Sequence, residues 1–185
     1  MKELFEAVRA ADVARVEALI AADPTLAIFA ASMLGDTARL ETLLTANRSL
    51  VTAMSTDGWT PLHLAAFFGK VDAARMLLNK GGAVATRSNN AMNNHPLHAA
   101  TAGGHVEIVK VLLEHGAAAN AQQSGGWVAL HAAAQHGNVP MAQVLVENGA
   151  DVSKRADNQQ RPIDLALLKG HQGMVDYLES CGASL

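Results

Sequence analysis

Imidazole, thiol and carboxylate are the groups in this chain that could do chemistry, and their spacing decides what chemistry is open to them. Three of the eight histidines, His63, His98 and His131, follow one another 35 and then 33 residues apart. Neutral imidazole is the commonest protein ligand for a metal ion, so a recurring histidine raises the possibility of a metal site. The near-equal spacing argues against it. Residues that recur once per stacked helical unit lie about 8–10 Å apart, whereas a zinc ion holds its nitrogen ligands at about 2 Å. His105 and His171 follow glycines, and His115 precedes one, at positions that also recur; only His95 and His136 fall off the pattern. No metal is expected.

Catalysis needs a nucleophile or acid with a base in reach and donors for the developing charge. Cys181, the only cysteine, can form no disulfide within the chain and lies far in sequence from His136. It reads as an inert thiol in a reducing compartment. Gly103-Gly104 ends a helix before a short turn and Gly125-Gly126 falls in a polar connection, so neither is a phosphate-cradling loop. The acidic residues fall mainly on outward helix faces. The expectation is no enzyme and no cofactor.

What positions all these residues is a repeat. The string TPLHLAAFFG, Thr60 to Gly69, returns as HPLHAATAGG from His95, VALHAAAQHG from Val128 and RPIDLALLKG from Arg161. A fixed period of this length means stacked units rather than one globular core. Glycines 35, 69, 104, 137 and 170, with Ala11 ahead of them, mark the register. Against those marks one column reads Ala7, Ala31, Ala65, Ala100, Ala133 and Ala166, and another reads Leu19, Leu43, Leu77, Leu112, Leu145 and Leu178. The columns predict six units, at 1–23, 24–56, 57–91, 92–124, 125–157 and 158–185. Each reads as helix, turn, helix, with an apolar stripe such as Ile108, Val109 and Leu112 at helical spacing. Polar residues at the ends, Glu179 among them, predict caps, as expected of a chain complete in itself.

With 14 basic and 17 acidic residues spread without runs, no basic stripe is present to replace the counterions of nucleic acid. No apolar stretch approaches the ~20 residues needed to cross a bilayer, and the charged amino-terminal segment lacks the apolar core of a signal peptide. The chain is expected to be soluble, cytoplasmic and monomeric, with neither nucleic acid nor membrane as partner.

On the T-P-L-H core and the period near 33, the chain resembles ankyrin-repeat proteins over its length. The resemblance implies an all-α solenoid of stacked helix-turn-helix units with projecting β-turn fingers, acting as a non-catalytic module that binds another protein. It also implies where: on the concave surface, at the fingertips and the first-helix positions just before the turn glycine. Here those helix positions include Met33, Leu34, Phe67, Phe68, Ala102, Gln135, His136, Leu168 and Lys169. The finger positions include Thr56, Asp57 and Trp59, then Met92 and Asn94, then Trp127, then Asp157, Asn158 and Gln160. Four of the seven aromatics (Trp59, Phe67, Phe68, Trp127) fall in this set. Met33, Leu34, Phe67 and Phe68 predict an apolar anchor site in the amino-terminal half, and Gln135, His136, Asp157, Gln160 and Lys169 a polar extension beyond it. The competing expectation is that the tryptophans lie flat on neighbouring fingers. A two-residue insertion in the finger Ser88–His95 falls on the same side. Asn120 matches a finger asparagine that is hydroxylated in some relatives, although a turn-stabilising role suits it better. Alternative roles are a regulatory subunit masking a partner's active site and a structural or assembly spacer.

Overall fold

A computed structural model describes residues 1–184. Among them are twelve α-helices and no strand, in six successive pairs. The first helices are α1 (Lys2–Arg9), α3 (Ala27–Leu34), α5 (Pro61–Phe67), α7 (Pro96–Gly103), α9 (Ala129–Gln135) and α11 (Pro162–Lys169). The second helices are α2 (Val13–Ala22), α4 (Thr37–Ala46), α6 (Val71–Asn79), α8 (Val106–Glu114), α10 (Val139–Glu147) and α12 (Gln172–Ser180). First helices stack on first helices along the whole chain, and from α4 onward second helices stack on second helices. The α2 helix instead packs on α1 and α3.

The core is the seam between the two rows. Ala65, Ala100, Ala133 and Ala166 are fully buried, so the first helices approach closely, and Leu77, Leu112, Leu145 and Leu178 fill the space behind them. Each fully buried leucine contributes about 1.5–3 kcal/mol. Proline opens α5, α7 and α11 at a first turn where its missing N–H costs nothing. The turn between the helices of a pair needs a left-handed residue. At Gly69 (φ +73°) a Cβ would also meet the ring of His105 at 2.6 Å. In the first pair the mark is Ala11, held at φ 53° without glycine's freedom.

The leucine column does not hold as read. Leu19 and Leu43 are only half-buried, and α2 and α4 instead bury Val16 and the pair Leu40 and Leu44. The reason lies in how these two helices end. Both run ten residues and stop at Asp23 and Asn47, in extended backbone. Each of these side chains then accepts the N–H two residues on, from Thr25 and Ser49, and starts a short 3-10 turn, Pro24–Leu26 or Arg48–Thr52. The later second helices end at glycines, and α6, α8 and α10 lead from them into fingers.

A backbone bond closes the base of each of four fingers: Ser55 to Trp59 (2.8 Å), Ser88 to Asn94 (2.7 Å), Gln123 to Trp127 and Ala156 to Gln160 (both 2.9 Å). Neighbouring fingers are joined by one more, Asn89 to Gly58, Ser124 to Met92 and Asp157 to Gly125, each 2.9 Å. The inserted residues are visible here: the second closure spans two residues more than the others, and Met92 lies within it.

Candidate functional site

The recurring histidines bind the stack together. His63 Nδ1 accepts from Thr60 Oγ1 at 2.7 Å, and its Nε2–H donates to the carbonyl of Asn94 in the next finger at 3.1 Å. His131 repeats the pattern, with Nδ1 accepting from Val128 N (3.2 Å) and Nε2 donating to Gln160 O (3.0 Å). His98 accepts from His95 N at 3.2 Å, but its Nε2 is buried without a partner. Loss of threonine at His95 and Val128 thus leaves the backbone-to-imidazole bond in place. Burial pushes the pKa of His63 and of His98 down to about 4, and that of His131 downward. Asp164 takes the histidine position in the last pair and accepts from Arg161 N at 2.8 Å. Hydrogen bonding to the Arg161 guanidinium holds its carboxyl below the usual range.

His105 and His171 act at the other end of the first helices, donating from Nε2 to the carbonyls of Phe67 (3.0 Å) and Gln135 (3.1 Å) in the preceding pair. Asn120 is likewise committed: its amide donates to Gly149 O and accepts from Asp151 N, at 2.7 and 2.8 Å. These are structural roles. Among the described residues no three His, Cys, Asp or Glu side chains gather into a group able to hold a metal ion. No described helix is long and apolar enough to cross a membrane.

The concavity that stands out is a cavity of about 250 Å³ on the face made by fingers and first helices. Its walls are aromatic, with Phe5 from α1, Trp59 from a finger and Phe67 from α5. Met92 and Asn94 close it from the inserted finger, and Ala99 and Ala102 of α7 complete it beside His63 and Leu64. The guanidinium of Arg9 lies 5.9 Å from the centre of the Phe67 ring, a favourable cation–π placement.

Trp59, Phe67, Met92, Asn94 and Ala102, all expected at a binding face, are therefore brought together. The others are not. Met33 is fully buried, because α3 is enclosed by its neighbours and buries seven of its eight residues. Asn94 lies in the finger wall at 2% exposure, not at a tip. Phe68 turns aside from the cavity to pack on Phe5 and Phe67, each at 5.4 Å between ring centres. Trp127 lies against His131 at 5.3 Å, half-buried, outside the cavity. Leu34, Thr56, Asp57, His136, Asp157, Asn158, Leu168 and Lys169 are exposed along the same row of elements, while Gln135 and Gln160 are half-buried. The face is also less graded than expected: Leu167 and Leu168 stand 47% and 69% exposed at its supposedly polar end. Phe5 and Leu64 escaped the sequence reading. Phe5 occupies the register-histidine position of the first pair, and that substitution is the signal that could have found it.

Among protein-family models, one described as ankyrin repeats (3 copies) matches residues 4–123, 84–156 and 117–185. A search of curated proteins returned no match. The overlapping family matches leave only the first three residues uncovered, so the chain belongs to the ankyrin-repeat family.

Proposed function

We propose that this chain is a non-catalytic binding module that engages another protein through its fingers and first helices. Ankyrin repeats generally serve as protein–protein interaction modules. The observation that carries the reading is where exposed apolar side chains lie. Of the six large apolar residues exposed among the described residues, five (Leu34, Met54, Met92, Leu167, Leu168) sit on fingers or first helices, and only Val13 sits on a second helix. Exposed apolar groups gathered on one side mark an interaction surface. The even balance of charge supports a protein partner over nucleic acid or membrane. The chain acts as a cytoplasmic monomer and needs no cofactor.

The test compares two faces. Met92→Glu with Ala102→Glu places charge at exposed positions beside the cavity, whereas Lys110→Glu alters an exposed position on a second helix. The first variant should lower partner capture from native lysate at least about tenfold, with helical circular dichroism unchanged; the second should capture normally. Equal capture by both variants rules out the finger face.

A further inference from the structure

Every cation on a second helix is bridged to a carboxylate: Arg15 to Glu3, Arg39 to Glu17, Arg75 to Glu114 and Lys110 to Glu107, at 2.8–3.6 Å. Arg9, on the first helix α1, is not. It is exposed, and among the described residues its side chain has neither an ion pair nor a hydrogen bond. What it rests on is the Phe67 ring, whose centre is 5.9 Å from the guanidinium carbon. Arg9 stands two residues before its turn mark, Ala11, as Met33 does before Gly35 and Phe67 before Gly69. Met33, in the intervening pair, is fully buried, and the residues on either side of it meet. A guanidinium over a ring uses its flat face and keeps its in-plane N–H donors free, in the fork that matches a carboxylate.

Phe67 is also a wall of the cavity. The walls offer a guest no counter-charge: of the lining residues only His63 can ionise, and both its ring nitrogens are engaged, with Thr60 and with the Asn94 carbonyl. A charge inside would be desolvated without a partner, so what enters is an uncharged apolar group. An apolar cavity of about 150 Å³ holds one benzene; at about 250 Å³ this one has room for a phenylalanine side chain. A group touching the Phe67 ring at about 4 Å lies within about 10 Å of the Arg9 guanidinium, a span of about three residues of extended chain. A charge that complements Arg9 is therefore carried close to the apolar group, outside the cavity.

We propose that the cavity takes a phenylalanine-sized apolar side chain from an acidic segment of the protein partner, and that a carboxylate within three residues of that side chain pairs with Arg9. This rests on the protein-binding reading above and names the chemistry of the segment engaged. The same guanidinium turns away a basic segment, which would bring like charge against it.

The probe is the blocked pentapeptide acetyl-Glu-Glu-Phe-Glu-Glu-amide, titrated into ¹⁵N-labelled protein beside versions with glutamine or lysine in place of glutamate. Expected are saturable shifts at the amides of Trp59, Phe67 and Ala102. At low salt the glutamate peptide should bind about threefold tighter than the glutamine peptide, and the lysine peptide weakest. Arg9→Gln should erase the gap between the glutamate and glutamine peptides and leave affinity for the glutamine peptide unchanged. Lys110→Gln, which removes a bridged cation from a second helix, should leave the gap intact. Absence of saturation, or a gap that is missing in the native chain or survives Arg9→Gln, overturns the proposal. Octanoate should bind no tighter than the glutamine peptide; tighter binding makes the cavity a site for small carboxylic acids and overturns the partner segment. The two readings fail separately. If Arg9→Glu leaves partner capture intact while Met92→Glu with Ala102→Glu lowers it, the acidic segment is wrong and the finger face stands. If the peptides behave as expected but that double variant captures normally, the finger face falls, and with it the partner that was to supply the segment.

Discussion

Up to Thr52, each helix pair joins the next through a 3-10 turn capped by Asp23 or Asn47; beyond it, fingers make the join and buried imidazoles tie them down. Both regions stack first helices on first helices, yet they bridge neighbouring pairs by different physics. In the later region a histidine reaches the carbonyl of the next finger. In the first two pairs the same register position holds Phe5 and Phe29, and neither can donate, even though the finger that follows Phe29 carries the Trp59 carbonyl. Phe29 is 5% exposed in the core, while Phe5 leans across to Phe68. Apolar packing thus takes the place of the hydrogen bond where the histidine is missing. The cavity lies where the two arrangements meet, with one wall from α1 and the rest from the fingered region.

Acid should separate the regions most strongly. The pKa values of His63 and His98 are lowered by burial to about 4, so between that and 6.5 the unfolded chain binds protons that the folded chain does not. Their contribution is complete above about pH 6.5 and is lost as pH falls toward 4, on the order of 3 kcal/mol for each histidine. Urea midpoints measured from pH 7 to 4 should fall steeply, and His63→Gln with His98→Gln should flatten the curve. No histidine precedes His63, so hydrogen exchange at pH 4.5 should accelerate in the fingers before it does in α3. Simultaneous acceleration in both would erase the distinction.

Truncating the leucine column tests packing directly. Leu112→Ala removes a fully buried side chain and should cost about 2–5 kcal/mol. Leu43→Ala, at the corresponding but half-buried position, should cost about 1 kcal/mol. Chemical denaturation measures both, and equal losses would mean that the first region is packed like the second.

The smallest effect lies in the first turn. Ala11→Gly relieves a left-handed alanine at φ 53° and should stabilise by about 1 kcal/mol or less, raising Tm by roughly 2–4 °C at most. A fall in Tm would show that the entropy glycine loses on folding outweighs the relieved strain.

Much of this was legible because it is local. Pro61, Gly69 and the stripe of Ile108, Val109 and Leu112 announce helix start, turn and buried face within a few residues of one another. The short connections were legible in principle too: ADPTL from Ala22 and ANRSL from Ala46 recur 24 residues apart, matching the two capped 3-10 turns. The candidate site was half legible. Repeat position alone brought Trp59, Phe67, Met92, Asn94 and Ala102 into consideration, and it brought Met33 and Trp127 in on equal terms.

What the chain's own order of residues determined, then, is the helix pairs, their turn glycines and the side of the stack on which the insertion falls. Backbone sterics and helical periodicity act over short stretches of chain, and those rules need no knowledge of distant neighbours. Only the tertiary structure decided that Phe5 meets Phe68 and walls the cavity with Phe67, that Met33 is enclosed, and that Asn94 carries a buried acceptor without a donor. Those outcomes depend on how closely separate helix pairs approach, a property of summed packing that no local stretch of residues encodes.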